Sequence, residues 1–231
     1  MKTITETDKG FVCDIQAPCF QLLSNEEIDL IRDSKTQVYF RKGDTLTKQG
    51  AYASYVLFLI SGIAKKYIEG SENRSFNLNI VLPGEFIGLS SVFSKSIFSY
   101  STSALTDCQV MLIEKDSLEK IIKSNGTFSH SLIQRYCTQN NDLQVVMQNQ
   151  LFKQMNGRLA ATLLYLNGLK EVQESIFPLL SRKDLADFAG ISTESTVKLL
   201  KTFEKEGLIK LQDKNITIID EKLLKDIFKH G

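Results

Sequence analysis

The sequence predicts an α+β chain in three parts: an N-terminal antiparallel β-barrel of jelly-roll type, one long helix, and a C-terminal module of short helices closed by a small β-wing. Three observations predict it. From Gln37 to Ile113, short apolar runs are broken by turn signals, many carrying Gly, at close spacing. From Phe128 to Leu151 there is neither Pro nor Gly, and apolar residues recur at three-to-four spacing. After Ser181, two capped helical segments are followed by two β-like runs around a polar turn. The expected boundaries are residues 1–126 for the barrel, 127–153 for the long helix and its hinge, and 154–231 for the C-terminal module.

In the first part, Val38–Phe40 stops at Lys42-Gly43-Asp44 and Tyr55–Ile60 stops at Ser61-Gly62. Ile63–Ile68 stops at Glu69-Gly70-Ser71, Phe76–Leu82 stops at Pro83-Gly84-Glu85, and Gln109–Ile113 closes the series. No βα rhythm runs through this region, which speaks against a parallel sheet. Short helices flank it, at Asn25–Ile31 and at Asp116–Lys123 before Ser124-Asn125-Gly126.

The long helix carries one apolar stripe of Leu132, Tyr136, Leu143 and Val146, and beside it Ile133, Cys137, Met147 and Leu151. Two stripes on one helix can face two things, the chain's own barrel and a second copy. The expected dimer interface is Leu132, Tyr136, Leu143, Val146 and Met147. Gln139, Asn140 and Gln150 make the seam imperfect. Phe152 to Gly157 reads as a joint, with Arg158–Leu166 helical after it.

In the last part, Ser181 caps a helix with Asp184 three residues on, and Leu185, Ala186 and Ala189 form its apolar stripe. Gly190 supplies the left-handed residue for a sharp turn, and Ser192 caps a second helix. On that helix Thr196, Leu199, Leu200 and Phe203 share the apolar back, while Thr193, Glu194, Val197, Lys198 and Lys201 form the front. The runs Gly207–Leu211 and Ile216–Ile219, joined through Asp213–Asn215, make the wing, and Asp220 caps a last helix. Two helices and a wing fit a helix-turn-helix that reads DNA, whereas an ordinary αα-hairpin has no reason to be followed by a wing.

Composition narrows the function classes. The chain has 28 basic and 27 acidic residues. Residues 153–231 carry 13 basic and 11 acidic, so the C-terminal module is slightly basic. No apolar run reaches about 18 residues, and Met1–Gly10 has no signal-peptide core, so the cytoplasm is the expected compartment and no membrane partner is implied. Residues 37–113 contain no His, and no phosphate loop or nucleophile elbow is visible. Metal-dependent barrel enzymes need clustered His, Asp or Glu, so an enzyme is not expected.

The order of motifs resembles the Crp/Fnr family of bacterial transcription regulators. The resemblance is carried by Lys42-Gly-Asp44, Leu59-Ile-Ser-Gly62, Pro83-Gly-Glu-Phe-Ile-Gly88, Gly157-Arg-Leu-Ala160 and Ser181–Leu200. It implies a cyclic-nucleotide-binding-type barrel, a dimerisation helix and a winged helix-turn-helix. It further implies a homodimer on a near-palindromic double-stranded DNA site, and RNA polymerase as a partner. Glu194 resembles the recognition-helix Glu, able to accept from a cytosine or adenine amino group; Lys198 stands where the family usually has Arg. Thr193 stands where the cyclic-AMP-responsive branch has another Arg, and Val197 is placed to touch a thymine methyl. Arg182, Lys183, Lys201 and the wing residue Lys214 are expected at phosphates, with Ser192 and Ser195 at the start of the reading helix.

Departures from the family pattern bear on the signal. Cyclic-nucleotide binders follow the Gly of Phe-Ile-Gly with a Glu, and here Leu89 follows Gly88. They also carry an Arg-Ser pair for the phosphate, and Ile97–Ser101 has no Arg. Cyclic AMP is therefore not the expected effector. Gly88, Leu89, Ser90, Ser99, Tyr100 and Ser101 leave a neutral, hydroxyl-rich lining that suits an uncharged or mildly polar effector. No cofactor or metal is expected. The iron–sulfur alternative of the oxygen-sensing branch rests on Cys13, Cys19 and Cys108, and one N-terminal Cys of that pattern is missing. The competing function is a small-molecule-sensing or scaffold protein whose C-terminal module binds a protein partner.

Overall fold

The computed structural model describes residues 2–4, 20–72, 74–94, 96–171 and 176–231. The chain divides into two compact units, one of Met1–Glu69 with Asn79–Asn141 and one of Gly70–Leu78 with Asp142–Gly231. In chain order the elements are β1 (Lys2–Ile4), α1 (Asn25–Ser34), β2 (Lys35–Phe40), β3 (Thr45–Thr47), β4 (Tyr55–Ser61), β5 (Ala64–Glu69), β6 (Ser75–Val81), β7 (Phe86–Ile87), β8 (Ser101–Ala104), β9 (Cys108–Glu114), α2 (Lys115–Ser124) and α3 (Gly126–Phe152). There follow α4 (Met155–Gly168), α5 (Arg182–Ala189), α6 (Thr193–Lys205), β10 (Ile209–Gln212), β11 (Asn215–Ile218) and α7 (Glu221–His230).

Strands β1 to β9 form two sheets, ordered β1-β2-β9-β4-β7 and β3-β8-β5-β6. This is a jelly-roll sandwich, and among the described residues no ladder joins the sheets into the closed barrel the sequence suggests. Two of the edge strands, β7 with two residues and β3 with three, are too short to carry a ladder across the gap. The central pairs β2–β9 and β4–β9 are antiparallel, with Val38 opposite Val110 and Leu59 opposite the same Val110. Alternation along these strands sends Val38, Phe40, Leu57, Leu59, Cys108 and Val110 into one core cluster. Val56, Phe58, Met111 and Ile113 go into another, with Phe20, Phe86, Leu118 and Phe128. In that second cluster the Phe58 ring meets Phe20 edge-on at 4.9 Å and Phe86 at 5.0 Å. β1 comes from the polar N-terminal stretch, where three residues are too few to show an alternation, and pairs with β2.

Helix α3 corrects one sequence expectation. Leu132 is 4 % exposed and belongs to the sandwich core with Phe128, so it is not an interface position. One residue later the helix leaves that core. Ile133, Tyr136, Leu143 and Met147 are exposed, and Leu151 is 71 % exposed. The joint also moves. Gly157 lies inside α4 and the break falls at Lys153–Gln154. Gly157 serves close approach instead of bending, because a Cβ there would stand 2.8 Å from the Gly231 backbone.

Among the described residues no helix is long and apolar enough to cross a membrane. In the second unit, α4 buries Leu159, Leu163 and Leu166, and α7 packs against it through the buried Leu224.

Gly62 and Gly84 have the same left-handed backbone, φ +89° and +90°, but different surroundings. A Cβ at Gly62 would overlap the Asp107 carbonyl oxygen, whereas a Cβ at Gly84 meets nothing within 4 Å. Gly84→Ala therefore costs about 1–2 kcal/mol of backbone strain. Gly62→Ala adds a steric cost of about 1–3 kcal/mol. Urea unfolding of the two variants checks this; equal destabilisation contradicts the close packing at Gly62.

Candidate nucleic-acid interface

Three local devices position α6. The first is a reciprocal cap on α5. Ser181 Oγ accepts from Asp184 N–H at 3.1 Å, and the Asp184 carboxylate accepts from Ser181 N–H at 2.8 Å. The second is Gly190, left-handed at φ +62°, whose carbonyl also accepts from Arg158 at 3.2 Å. The third is Ser192, whose Oγ accepts from Ser195 N–H at 3.0 Å and starts α6. Thr196, Leu200 and Phe203 are then buried, so the opposite face of α6 must point to solvent.

That front carries Thr193, Glu194, Lys198 and Lys201, all exposed, with Ser195 and Val197 half-buried. Glu194 and Lys198 form an ion pair at 2.7 Å, one helical turn apart. Both side chains are at least three-quarters exposed, so the pair contributes only a few tenths of a kcal/mol and yields readily to a competing partner. Lys201 and Lys214 form no ion pair among the described residues.

The wing is tied to the helices from both sides. Arg182 Nη2 donates to the Asp213 carbonyl at 2.9 Å, and Leu211 N–H donates to Glu204 Oε1 at 2.8 Å. Asp213 and Lys214 form the two-residue turn between β10 and β11, with Asp213 at φ +52°. Lys214 is thereby held at the tip, exposed. Arg182 is half-buried, and that burial lowers its pKa. It is therefore a clamp between α5 and the wing, a role its place in the sequence does not signal. Lys183 is engaged with Asp187 at 2.7 Å.

The expected effector residues do not form one lining, although two of them, Gly88 and Tyr100, meet. Gly88 is buried at φ +79° and its N–H donates to Tyr100 Oη at 2.7 Å. Leu89 packs beside the core cluster of Phe58 and Phe86, and Ser90 is half-buried. Ser99 is exposed, and the Ser101 hydroxyl is spent on Gln49 N–H and the Glu69 carboxylate. Strand alternation explains this. Ala104 lies in the core, so Thr102 and Tyr100 share its face and Ser101 points the other way. Burial pushes the Tyr100 phenol up to about 12, so it stays a neutral donor.

Cys13 and Cys19 lie outside the described residues. Cys108 is fully buried in the sandwich core, and burial pushes its thiol up to about 11, away from the thiolate form a metal ligand needs. Among the described residues no three His, Cys, Asp or Glu side chains are grouped to hold a metal ion.

A capped helix pair with an exposed polar front and a clamped wing, on a chain that also carries a jelly-roll sandwich, defines a DNA-binding transcription regulator. The comparisons agree. Residues 37–125 match the cyclic nucleotide-binding domain, and residues 157–227 match the Crp-like helix-turn-helix domain. The chain is 24 % identical over 206 residues to the anaerobic regulatory protein of Bacillus subtilis, covering 87 % of both. It is 25 % identical over 217 residues to the CRP-like cAMP-activated global transcriptional regulator of Mycobacterium tuberculosis, covering 90 % of this chain and 95 % of that one. The structure of FixK2 from Bradyrhizobium japonicum shares its fold with a TM-score of 0.74 at 22 % identity, covering 84 % of this chain and 96 % of that one. So does a CRP/FNR-family regulator from Thermus thermophilus, with a TM-score of 0.69 at 20 % identity, covering 84 % and 98 %. The chain belongs to the Crp/Fnr family, which is one of transcription regulators and not of enzymes. A C-terminal module built only to bind protein is set aside.

Replacing Ser192 by Ala removes the oxygen that starts α6 and costs about 1 kcal/mol, whereas Ser192→Gly costs only a few tenths. Chemical denaturation of the full chain measures both. Equal stability of Ser192→Ala and wild type contradicts the cap.

Proposed function

We propose that the chain acts as a homodimer joined along the exposed face of α3 and sets two α6 helices into successive major grooves of a near-palindromic site. Several residues of α3 support the pairing. Ile133, Tyr136, Leu143 and Met147 recur at helical spacing and are 60, 55, 39 and 54 % exposed. A single chain leaves that stripe in water, and burying it against a second copy is favourable by roughly 25 cal/mol per Å2 of apolar surface. Asn140 falls within the same stripe and is suited to fixing register. The two reading helices then stand about one DNA turn apart, ~34 Å.

At each half-site Glu194 accepts from an exocyclic amino group, Val197 meets a thymine methyl, and Lys198 reaches a guanine or a phosphate. Lys201 and Lys214, exposed and without an ion pair among the described residues, hold phosphates, and Ser192, Thr193 and Ser195 line the helix start. Arg182 and Lys183 stand next to the backbone, but each already has a partner, so their contribution is smaller than that of Lys201. Lys198 lacks the fork of Arg, so its reading of guanine is less selective. The operator therefore differs from that of a relative with Arg there. The protein works in the cytoplasm with RNA polymerase as its partner.

The sandwich takes a signal other than cyclic AMP. A cyclic phosphate needs a cation at the loop before β8, and Ile97–Ser101 offers none; a ribose needs an acceptor where Leu89 stands. That several relatives are cAMP-activated by name does not transfer the ligand to a chain that departs at both positions.

The single observation that carries this reading is the largely exposed, polar front of α6 opposite the buried Thr196, Leu200 and Phe203. Glu194→Ala costs about 1–3 kcal/mol on the specific duplex and relaxes one base position. Lys201→Ala weakens specific and scrambled duplexes alike and lowers the salt slope by about 1. Binding titrations on the two duplexes at several salt concentrations decide this. A loss for Glu194→Ala that is the same on both duplexes contradicts base reading.

A further inference from the structure

The inner face of the second sheet carries a row of polar side chains that a sandwich core has no use for. Thr102 on β8 stands directly opposite Thr47 on β3 and directly opposite Lys66 on β5. Residues directly opposite share a face, so the three side chains form one row across three strands. Two residues along, Ala64 and Ala104 on the same face lie in the apolar core, which fixes this face as the inward one. Tyr100 closes the row: the Lys66 ammonium lies over its ring, 4.2 Å from the centroid.

The row is unsatisfied. Thr47 and Thr102 are buried, and neither hydroxyl oxygen has a hydrogen-bond partner. A buried polar group in that state costs about 1–3 kcal/mol. Lys66 is half-buried and forms no ion pair among the described residues; its burial lowers its pKa, and the carboxylate of Glu85 opposes that only at a distance. A ring face returns about 0.5–2 kcal/mol to a cation, less than an oxyanion in the same place gives. Ordinary cores replace such groups with apolar ones, and functional sites keep them.

We propose that this row binds a small organic anion, with a carboxylate or phosphate oxygen of the ligand meeting the Lys66 ammonium and the Thr102 and Thr47 hydroxyls. The inference rests on reading the sandwich as the effector-sensing part, and it replaces the neutral effector that the hydroxyl-rich loop alone suggests. One cation and two hydroxyls match a single oxyanion. The Tyr100 phenol, whose Oη already accepts from Gly88 N–H, keeps its own proton to donate. Tyr136 of α3 lies near Tyr100, so a ligand here sits beside the helix proposed to join two copies.

The test uses the full chain with its lysines 13C-dimethylated, which preserves their charge, and Lys66→Met to assign the Lys66 signal. Benzoate, phenyl phosphate and the neutral benzamide are the probes. Expected is a saturable shift of the Lys66 signal at millimolar or lower benzoate or phenyl phosphate, a rise in its titration midpoint, and a rise in Tm that Lys66→Met loses. Benzamide gives none of these. The stronger of the two anions tells carboxylate from phosphate. If benzamide acts as strongly as benzoate, the anion inference falls while the effector reading stands. If no probe moves either the signal or the Tm, both fall. Should Lys66→Met not fold, Lys66→Gln supplies the assignment and the wild-type titration decides alone.

Discussion

The burial of Phe128 and Leu132 and the exposure of Ile133, Tyr136, Leu143 and Met147 on one uninterrupted helix set what the chain must do next. The first pair anchors α3 in the sandwich core. The other four keep apolar surface in water, which no single copy can relieve along that stripe. A 27-residue helix spans about 40 Å, long enough to carry both an anchor and a pairing surface. The symmetry of the proposed DNA site follows from pairing along this rod, because a two-fold protein reads a two-fold sequence.

The reading module is built on short-range hydrogen bonds. The Ser181–Asp184 cap, the left-handed Gly190 and the Ser192 cap fix α5 and α6 without help from distant parts of the chain. The wing depends on two longer-range bonds, from Arg182 and to Glu204. The front of α6 remains nearly neutral, with Glu194 and Lys198 paired to each other. Bulk charge on this face is therefore modest, which is why the proposed selectivity is assigned to base edges.

Much of this was legible in the sequence because the signals are local. Ser181, Gly190, Ser192 and Asp220 sit where capping chemistry demands them, and each is a cap in the structure. The glycine-marked turns gave the strand series, and the motif order identified the family. What was not legible depended on which way a side chain faces. Leu132 and Ile133 are neighbours with opposite fates, since one residue is a 100° rotation on a helix. Ser101 and Thr102 are separated in the same way by the strand pleat, so the hydroxyl-rich stretch before Ala104 is two faces and not one lining. Lys66 is not legible in the sequence, because a lysine beside Lys65 reads as solvated charge; only its register opposite Thr102 turns it inward. Gly157 looked like a hinge because a lone glycine after a long helix resembles one, whereas close packing explains it.

The central claim, a two-fold protein reading DNA through α6, is tested most directly by hydroxyl-radical footprinting on a duplex selected from random sequence by the full chain. The account predicts two protected patches about one helical turn apart on a near-palindrome, bound by a species of twice the chain mass. A single patch on an asymmetric site, bound by one copy, contradicts it.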